Sequence, residues 1–393
     1  MKILYVLSTS RGGLPHYTAE LANAVSNYAE VTVIKPEETT ADDVFSDKIE
    51  VINAFKPLTL SFVDMYELRR ASRMLSPFNL AKFFSYQNIA VVNTINPDIV
   101  HFNDIPPQIQ IFARKIKKYP KIVTYHGVSN RKILVKTSNF KLFFFTSIMS
   151  IWNILNPLFF DIKFDRAIVH TQMHKEALMN EGMAAEKIAV IPHGAYKFFK
   201  DYGIYGDEEE NCILFFGNIV WSKAFDVLTD AISLVVKEIP DLKLIIAGDG
   251  VIPKRSREII EKYKTNFEVH NYFISNEKVG GFFSRASLVV VPNRKQDGHS
   301  GSLTVAYSFG KPVVTTNVGE FPILVSDAGC GLVVPPDDPK ALAEAILKLL
   351  KDDELRKKMS ENALKKAEEL SWDNIAKLHM KVYEEVLEKR RVK

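Results

Sequence analysis

At 393 residues, 47% hydrophobic and 25% charged, the chain has the composition of a soluble globular protein with room for about two domains. Its net charge of +4 is too mild to suggest nucleic acid as a partner. Cys212 and Cys330 stand isolated and fit no disulfide or metal framework, which points to a reducing, cytoplasmic setting.

The N-terminal apolar run is too short for a signal-peptide core and leads straight into Arg11-Gly12-Gly13. Residues 2–7 read as a buried strand, followed by a Ser/Gly loop. An amphipathic helix comes next, with Tyr17, Leu21, Ala24, Val25 and Tyr28 at helical spacing. Further strands are expected at 31–35, 49–55, 98–102, 121–126, 166–171 and 188–192, with helices such as 105–118 and 172–182 between them. Strands alternating with helices predict a parallel sheet covered on both faces.

Two features interrupt this first series. Between Leu68 and Lys141 the only acidic residues are Asp98 and Asp104, so the basic 69–141 region favours an anionic partner such as a membrane surface or a phosphorylated substrate. Residues 142–160 carry no charge and are rich in Phe, Ile and Leu. That length approaches the ~20 apolar residues of a bilayer span. A span would place the halves of one sheet on opposite sides of a membrane, so two readings stay open: a buried helix, or a helix lying in the membrane interface.

After an acidic linker at 201–211 a second series begins. Strands are expected at 213–216, 242–247, 267–269, 288–291, 313–316 and 331–334. Helices are expected at 225–238, 253–263, 276–284 and 303–309, and three more helical segments close the chain at 338–350, 354–370 and 373–390. The fold class is α/β, with two doubly wound domains facing each other.

The chemistry-bearing residues sit at strand ends. Gly12 and Gly13 follow the first strand and let backbone N–H groups approach a ligand, but the pattern is not Gly-x-Gly-x-x-Gly. Lys35 and Pro36 stand where a ribose-binding acid would end the second strand, which disfavours NAD. Phe216-Gly217-Asn218 leads to Lys223 just before a helix, placed to pair with a phosphate. Gly248, in Ala-Gly-Asp-Gly, makes another glycine turn at a strand end. The polar loop after 288–291 leads into a short helix near Ser300, Gly301 and Ser302. A helix N-terminus there presents N–H groups to an anion, unless Ser300 merely caps the helix. His126 and His193 each precede a glycine at a strand terminus; either could bond a sugar or move a proton, or be a satisfied structural histidine. No His/Cys/carboxylate spacing suits a metal.

In this order the motifs run Gly12-Gly13, Tyr125-His126-Gly127, Ile191-Pro192-His193-Gly194, Phe216-Gly217 with Lys223, Ala247-Gly248-Asp249-Gly250, Gly310-Lys311-Pro312, and Ser371-Trp372. The chain resembles the retaining glycosyltransferases of family 4 (group 1), of GT-B fold, over nearly its whole length. The resemblance implies two Rossmann-like domains with a nucleotide-sugar in the cleft between them. The N-terminal, acceptor-side domain would comprise 1–195 plus a crossover helix at 374–393, and 196–373 would form the donor domain. It implies metal-independent transfer with retention and no cofactor beyond the nucleotide-sugar substrate. By motif position Lys223 would hold the diphosphate, Gly13 would approach it, His126 would contact the transferred sugar, and Asn271 to Ile274, including Tyr272 and Phe273, would border the base.

There are departures. The family has Gly-Arg where this chain has Gly217-Asn218, and Lys-Gly where it has Lys223-Ala224. Its Glu-x7-Glu pair falls on Asp297 and Val305, and valine cannot accept a hydrogen bond from ribose. Thr304 and Glu320 are the replacement candidates. The reading is a cytoplasmic glycosyltransferase, working at the inner membrane face on a lipid-linked or otherwise anionic acceptor. Lys223 and loop N–H groups would stabilise the leaving group, while Asp297 and His126 position the sugar. The rivals are a catalytically degenerate binding or scaffold protein and a sugar-nucleotide epimerase of the same fold.

Overall fold

Strand β1 (Lys2–Val6) has no exposed face: Ile3, Leu4, Tyr5 and Val6 are all fully buried. That is the signature of a central strand in a sheet covered on both sides. The computed structural model describes residues 1–55, 87–103, 107–128, 163–203, 206–295 and 299–391. The apolar 142–160 segment and, from the basic 69–141 region, residues 69–86, 104–106 and 129–141 lie outside them. Among the described residues no helix is long and apolar enough to cross a membrane.

The chain divides into two compact units, one formed by Met1–Pro192 with Ala376–Lys393 and the other by His193–Ile375. In the first, β1 is joined by β2 (Glu30–Pro36), β3 (Glu50–Phe55), β4 (Ile99–Phe102), β5 (Lys121–Tyr125), β6 (Arg166–Val169) and β7 (Ile188–Val190). All pair in parallel, in the order β3-β2-β1-β4-β5-β6-β7. The described helices are α1 (Gly13–Val25), α2 (Gln87–Ile95), α3 (Pro107–Lys115) and α4 (Gln172–Asn180). Leu4, Val100, Phe102 and Val123 of the sheet pack with Val92, Ile109, Ala113 and Leu178 from α2, α3 and α4. The first helix is shorter than its apolar spacing suggested. It ends at Val25, and Tyr28 lies beyond it, 42% exposed.

The second unit repeats the plan. Strands β8 (Cys212–Phe216), β9 (Lys243–Ala247), β10 (Phe267–His270), β11 (Leu288–Val291), β12 (Val313–Thr316) and β13 (Gly331–Val334) pair in parallel, in the order β10-β9-β8-β11-β12-β13. The helices are α5 (Phe225–Val235), α6 (Lys254–Lys262), α7 (Asn276–Arg285), α8 (Gly301–Ser308), α9 (Pro339–Lys351) and α10 (Asp353–Glu369). Leu228, Ile232 and Val235 of α5 and Leu342, Ile346 and Leu349 of α9 recur at helical spacing and are buried in one core with Phe215, Ile246, Val290 and Val314 of the sheet. Asp338 caps α9, accepting from the N–H groups of Lys340 and Ala341, and Pro339 fits the first helical position.

The last helix, α11 (Trp372–Arg391), contributes its residues from Ala376 onward to the first unit. There it docks through buried polar groups. The Tyr383 hydroxyl bonds the Tyr5 hydroxyl at 2.8 Å and His101 Nδ1 at 2.7 Å, and His101 Nε2 meets Thr124 Oγ1 at 2.8 Å. His379 Nε2 lies 3.4 Å from the Tyr17 hydroxyl. Burial lowers the basicity of His101 well below the ordinary imidazole range, so His101 bonds Tyr383 and Thr124 as a neutral ring.

Strand order reverses direction at β1/β4 in the first sheet and at β8/β11 in the second. In doubly wound sheets ligands bind outside the carboxyl ends of the strands at such switch points.

Candidate functional site

In the second unit the switch point gathers three segments. Strand β8 ends at Phe216 and runs through Gly217 and the exposed Asn218 to a 3-10 turn, Trp221–Lys223. Glycine is required at 248 by proximity: a Cβ there would stand 2.0 Å from the carbonyl oxygen of Gly217. The exits of β8 and β9 are thus in backbone contact. The third segment follows β11. Ser302 Oγ donates to the Phe216 carbonyl at 2.8 Å and draws the start of α8 onto the end of β8.

Ser300 occupies the cap position of α8 but forms no side-chain cap bond. Its hydroxyl is buried without a hydrogen-bond partner among the described residues, and the residue is 3% exposed. Ser300 is therefore not an ordinary helix cap. A buried hydroxyl left unpaired costs about 1–3 kcal/mol, and the Gly301 and Ser302 N–H groups beside it belong to the first helical turn, which has no intrahelical acceptors. Hydroxyl, first-turn N–H groups and helix dipole converge as an anion-binding arrangement.

Lys223 is half-buried, and no carboxylate among the described residues pairs with it. Burial alone lowers its ammonium to about 8. An unpaired, desolvated cation stands to gain from an anion more than a solvated surface lysine does.

The surroundings differ from expectation at several positions. Thr304 is fully buried and donates to the Gly301 carbonyl at 2.9 Å, so its hydroxyl is committed within α8 and not open to a ribose. Val305 is 2% exposed and faces the core. Glu320, the other replacement candidate, is buried, with its carboxylate 3.5 Å from His299 Nδ1. Asp297 lies outside the described residues. Tyr272 and Phe273 are exposed (43% and 46%) on the loop after β10. Asn271 on that loop exchanges two 3.1 Å bonds with the backbone of Gly250, tying the loop to the β9 exit. His193 is structural: buried, bonded to the Gly194 carbonyl at 2.7 Å and to the Tyr196 hydroxyl at 3.3 Å, and stacked on His299. Gly194 is glycine because the indole of Trp372 packs against it; a Cβ would lie 2.4 Å from the ring.

In the first unit Gly12 follows the exit of β1 with φ 85°, in the left-handed region, and Gly13 opens α1. The Gly12 carbonyl bonds His16 Nδ1 at 3.1 Å, which fixes the turn. His126 lies at the end of β5, edge-on to Tyr17 with ring centroids 4.4 Å apart. Its Nδ1 is 3.0 Å from His170 Nε2, and His170 Nδ1 is 3.0 Å from the Ile191 carbonyl. A carbonyl only accepts, so His170 Nδ1 carries the proton. In the neutral pair His170 Nε2 then accepts from His126 Nδ1–H, leaving Nε2 of His126 as the basic atom. His170 was not legible as a partner; the only hint was a histidine ending the strand next to β5.

The described residues contain no cluster of His, Cys, Asp or Glu that could hold a metal ion. Cys212 and Cys330 are buried and pushed up to about 12 and about 11, so neither is a thiolate nucleophile at neutral pH.

Two family models match the chain in tandem: Glycosyltransferase Family 4 over residues 11–195 and Glycosyl transferases group 1 over residues 199–366. An uncharacterized glycosyltransferase of Methanocaldococcus jannaschii is 27% identical over 305 residues, 75% of this chain and 78% of that protein. Among solved structures, a glycosyltransferase from Rickettsia africae aligns at TM-score 0.68 and 18% identity, over 98% of both chains. The Anabaena protein HepE, in complex with UDP-glucose, aligns at TM-score 0.67 and 17% identity, over 97% of this chain and 99% of that one. Together with the two Rossmann-like parallel sheets, these likenesses give the fold as GT-B.

Proposed function

Because the chain belongs to the group 1, family 4 glycosyltransferases, we propose that it transfers a sugar from a nucleoside-diphosphate donor with retention of anomeric configuration, and that its second unit holds the diphosphate. One observation carries this reading. The β8 exit, the β9 turn at Gly248 and the start of α8 meet at one switch point, where Lys223 and the Ser300 hydroxyl have no partner among the described residues. HepE, of like fold, was crystallised with UDP-glucose, so UDP is the natural first probe.

In this reading Lys223 and the first-turn N–H groups of α8 neutralise charge that grows on the leaving diphosphate as the glycosidic bond lengthens. Those donors are fixed before the reaction and need no reorganisation, which makes them worth more in a partly dry site than in water. Asn218 supplies no second cation and Val305 no carboxylate, so hydrogen bonds from the loop carry a larger share of donor binding. His126 is the candidate contact for the transferred sugar, with His170 orienting its ring, and Asp297 is a further sugar-positioning candidate. The acceptor is lipid-linked or otherwise anionic, a proposal motivated by the basic 69–141 region and the apolar 142–160 segment; peripheral attachment at the inner membrane face belongs to the same proposal.

The test is calorimetric titration with UDP, followed by incubation with UDP-hexoses and detection of released UDP. Saturable binding with slow release of UDP is expected. Absence of binding by UDP, GDP and ADP at millimolar concentration would defeat the proposal.

A further inference from the structure

The turn that carries Lys223 is held by a residue far away in sequence. From Trp221–Lys223 the chain enters α5 through Ala224, at φ 49° and ψ 41°. This is the left-handed region, where a Cβ crowds the following carbonyl and which glycine adopts at no such cost. A residue with a side chain stays there only when its surroundings over-determine the conformation.

Arg294, on the segment leaving β11, supplies that constraint. Its backbone N–H donates to the Ser222 carbonyl at 2.9 Å, and its Nη1 donates to the Trp221 carbonyl at 3.2 Å. Nη1 and Nη2 also grip both carboxylate oxygens of Asp226, at 2.8 and 2.7 Å. Nε donates to Asp337, on the loop after β13. The guanidinium lies over the Trp221 indole, 5.6 Å from the ring centroid, and the arginine side chain is only 12% exposed. Lys223 is thus bracketed. The guanidinium ties one carbonyl before it, that of Trp221, to one carboxylate after it, that of Asp226, while the Arg294 backbone N–H holds the Ser222 carbonyl and Asp337 anchors the fork from the other side. This geometry needs arginine, because an ammonium presents no such fork.

We infer that Arg294 is a positioning residue for sugar transfer: its guanidinium clamps the strained turn at Ala224 and so fixes where the Lys223 ammonium stands. The inference rests on the reading of Lys223 as the diphosphate-binding cation.

Four proteins test it: wild type, Arg294→Gln, Ala224→Gly and the double variant, each first checked by circular dichroism and thermal unfolding. Two quantities are read: UDP affinity by calorimetry, and the ligand-free titration of Lys223, followed through the pH dependence of its acylation by peptide mass spectrometry. Arg294→Gln is expected to weaken UDP binding at least tenfold and to move the Lys223 titration upward from about 8 as the turn relaxes into solvent. Ala224→Gly alone should change UDP affinity less than twofold. In the double variant, relief of strain removes the cause of relaxation, and at least a threefold recovery of affinity is expected. Arg294→Lys should fail to replace arginine. A folded Arg294→Gln protein that binds UDP within twofold of wild type with an unmoved Lys223 titration overturns the clamp, and so does weakened binding with neither a titration shift nor rescue by Ala224→Gly. Lys223→Met separates the underlying reading. If that variant binds UDP as wild type does, the phosphate assignment has failed, and the ligand-free titration alone decides the clamp: a shift upholds it and no shift rejects it.

Discussion

Lys223→Met separates function from folding more sharply than any other single change. Methionine keeps the aliphatic stem and removes the charge. Burial lowers the ammonium from the ordinary 10.5 to about 8, which corresponds to a folding cost of up to about 3 kcal/mol, less whatever partial solvation of the side chain returns. Below pH 8 the lysine is charged both folded and unfolded, and the cost is carried in full. Between about 8 and 10.5 only the unfolded chain holds the proton, so stability rises with pH across that interval. Ligand-free Lys223→Met should therefore be at least as stable as wild type at pH 7, by thermal or urea unfolding. A charge-assisted contact to phosphate is worth roughly 1.5–3 kcal/mol, so its loss should weaken UDP binding roughly ten- to hundredfold. Wild-type affinity should fall as pH rises through about 8, and the variant should show no such limb. A variant that unfolds more easily than wild type, or that binds UDP within twofold of it, would refute the reasoning.

Ser300→Ala removes a buried hydroxyl that has no hydrogen-bond partner among the described residues. Unfolding free energy should stay level or rise by up to about 1 kcal/mol, while UDP affinity measured by calorimetry falls several-fold; a stability loss with unchanged affinity would make Ser300 an ordinary structural residue. Gly248→Ala sets a Cβ 2.0 Å from the Gly217 carbonyl oxygen, which is backbone and cannot swing aside. A loss of about 3 kcal/mol is expected, read as a lower urea midpoint, and a change below ~0.5 kcal/mol would show that the two strand exits are not in the contact described.

The doubly wound architecture was legible because its signals are local and repeated. Apolar runs such as 2–6 and 288–291 sit between helical stretches, and each ends in glycine, proline or a polar loop. The motifs placed Gly12, Gly217, Lys223 and Ser300 at strand exits without any knowledge of strand order. What was not legible depends on contacts distant in sequence. Tyr5 reads as one more apolar residue in a buried strand, and His379 and Tyr383 as ordinary residues of a long helix. Only folding brings His101 between Tyr383 and Thr124. Arg294 reads as a loop cation, yet its acid partners are Asp226 and Asp337. Thr304 looked available because it follows a Ser/Gly loop; its place one turn inside α8 turns the hydroxyl onto the Gly301 carbonyl.

Asn218 stands where the family carries an arginine. The side chain is exposed beside Gly217, at the mouth of the β8 exit. Arginine there is tolerable for the fold, since a surface substitution away from caps and core usually changes stability by no more than about 0.5 kcal/mol. It would add a second cation near Lys223, with two opposing effects. Attraction to a bound diphosphate should raise UDP affinity at neutral pH by roughly three- to tenfold, with a steeper decline as salt is added. Repulsion between like charges should depress Lys223 further, so that the alkaline loss of affinity begins below the present value of about 8. Asn218→Arg thus exchanges a wide pH range for tighter binding, and both changes appear in one calorimetric series over pH and salt. If affinity, salt slope and alkaline limb all stay where they are, the diphosphate does not lie between the β8 exit and the start of α8.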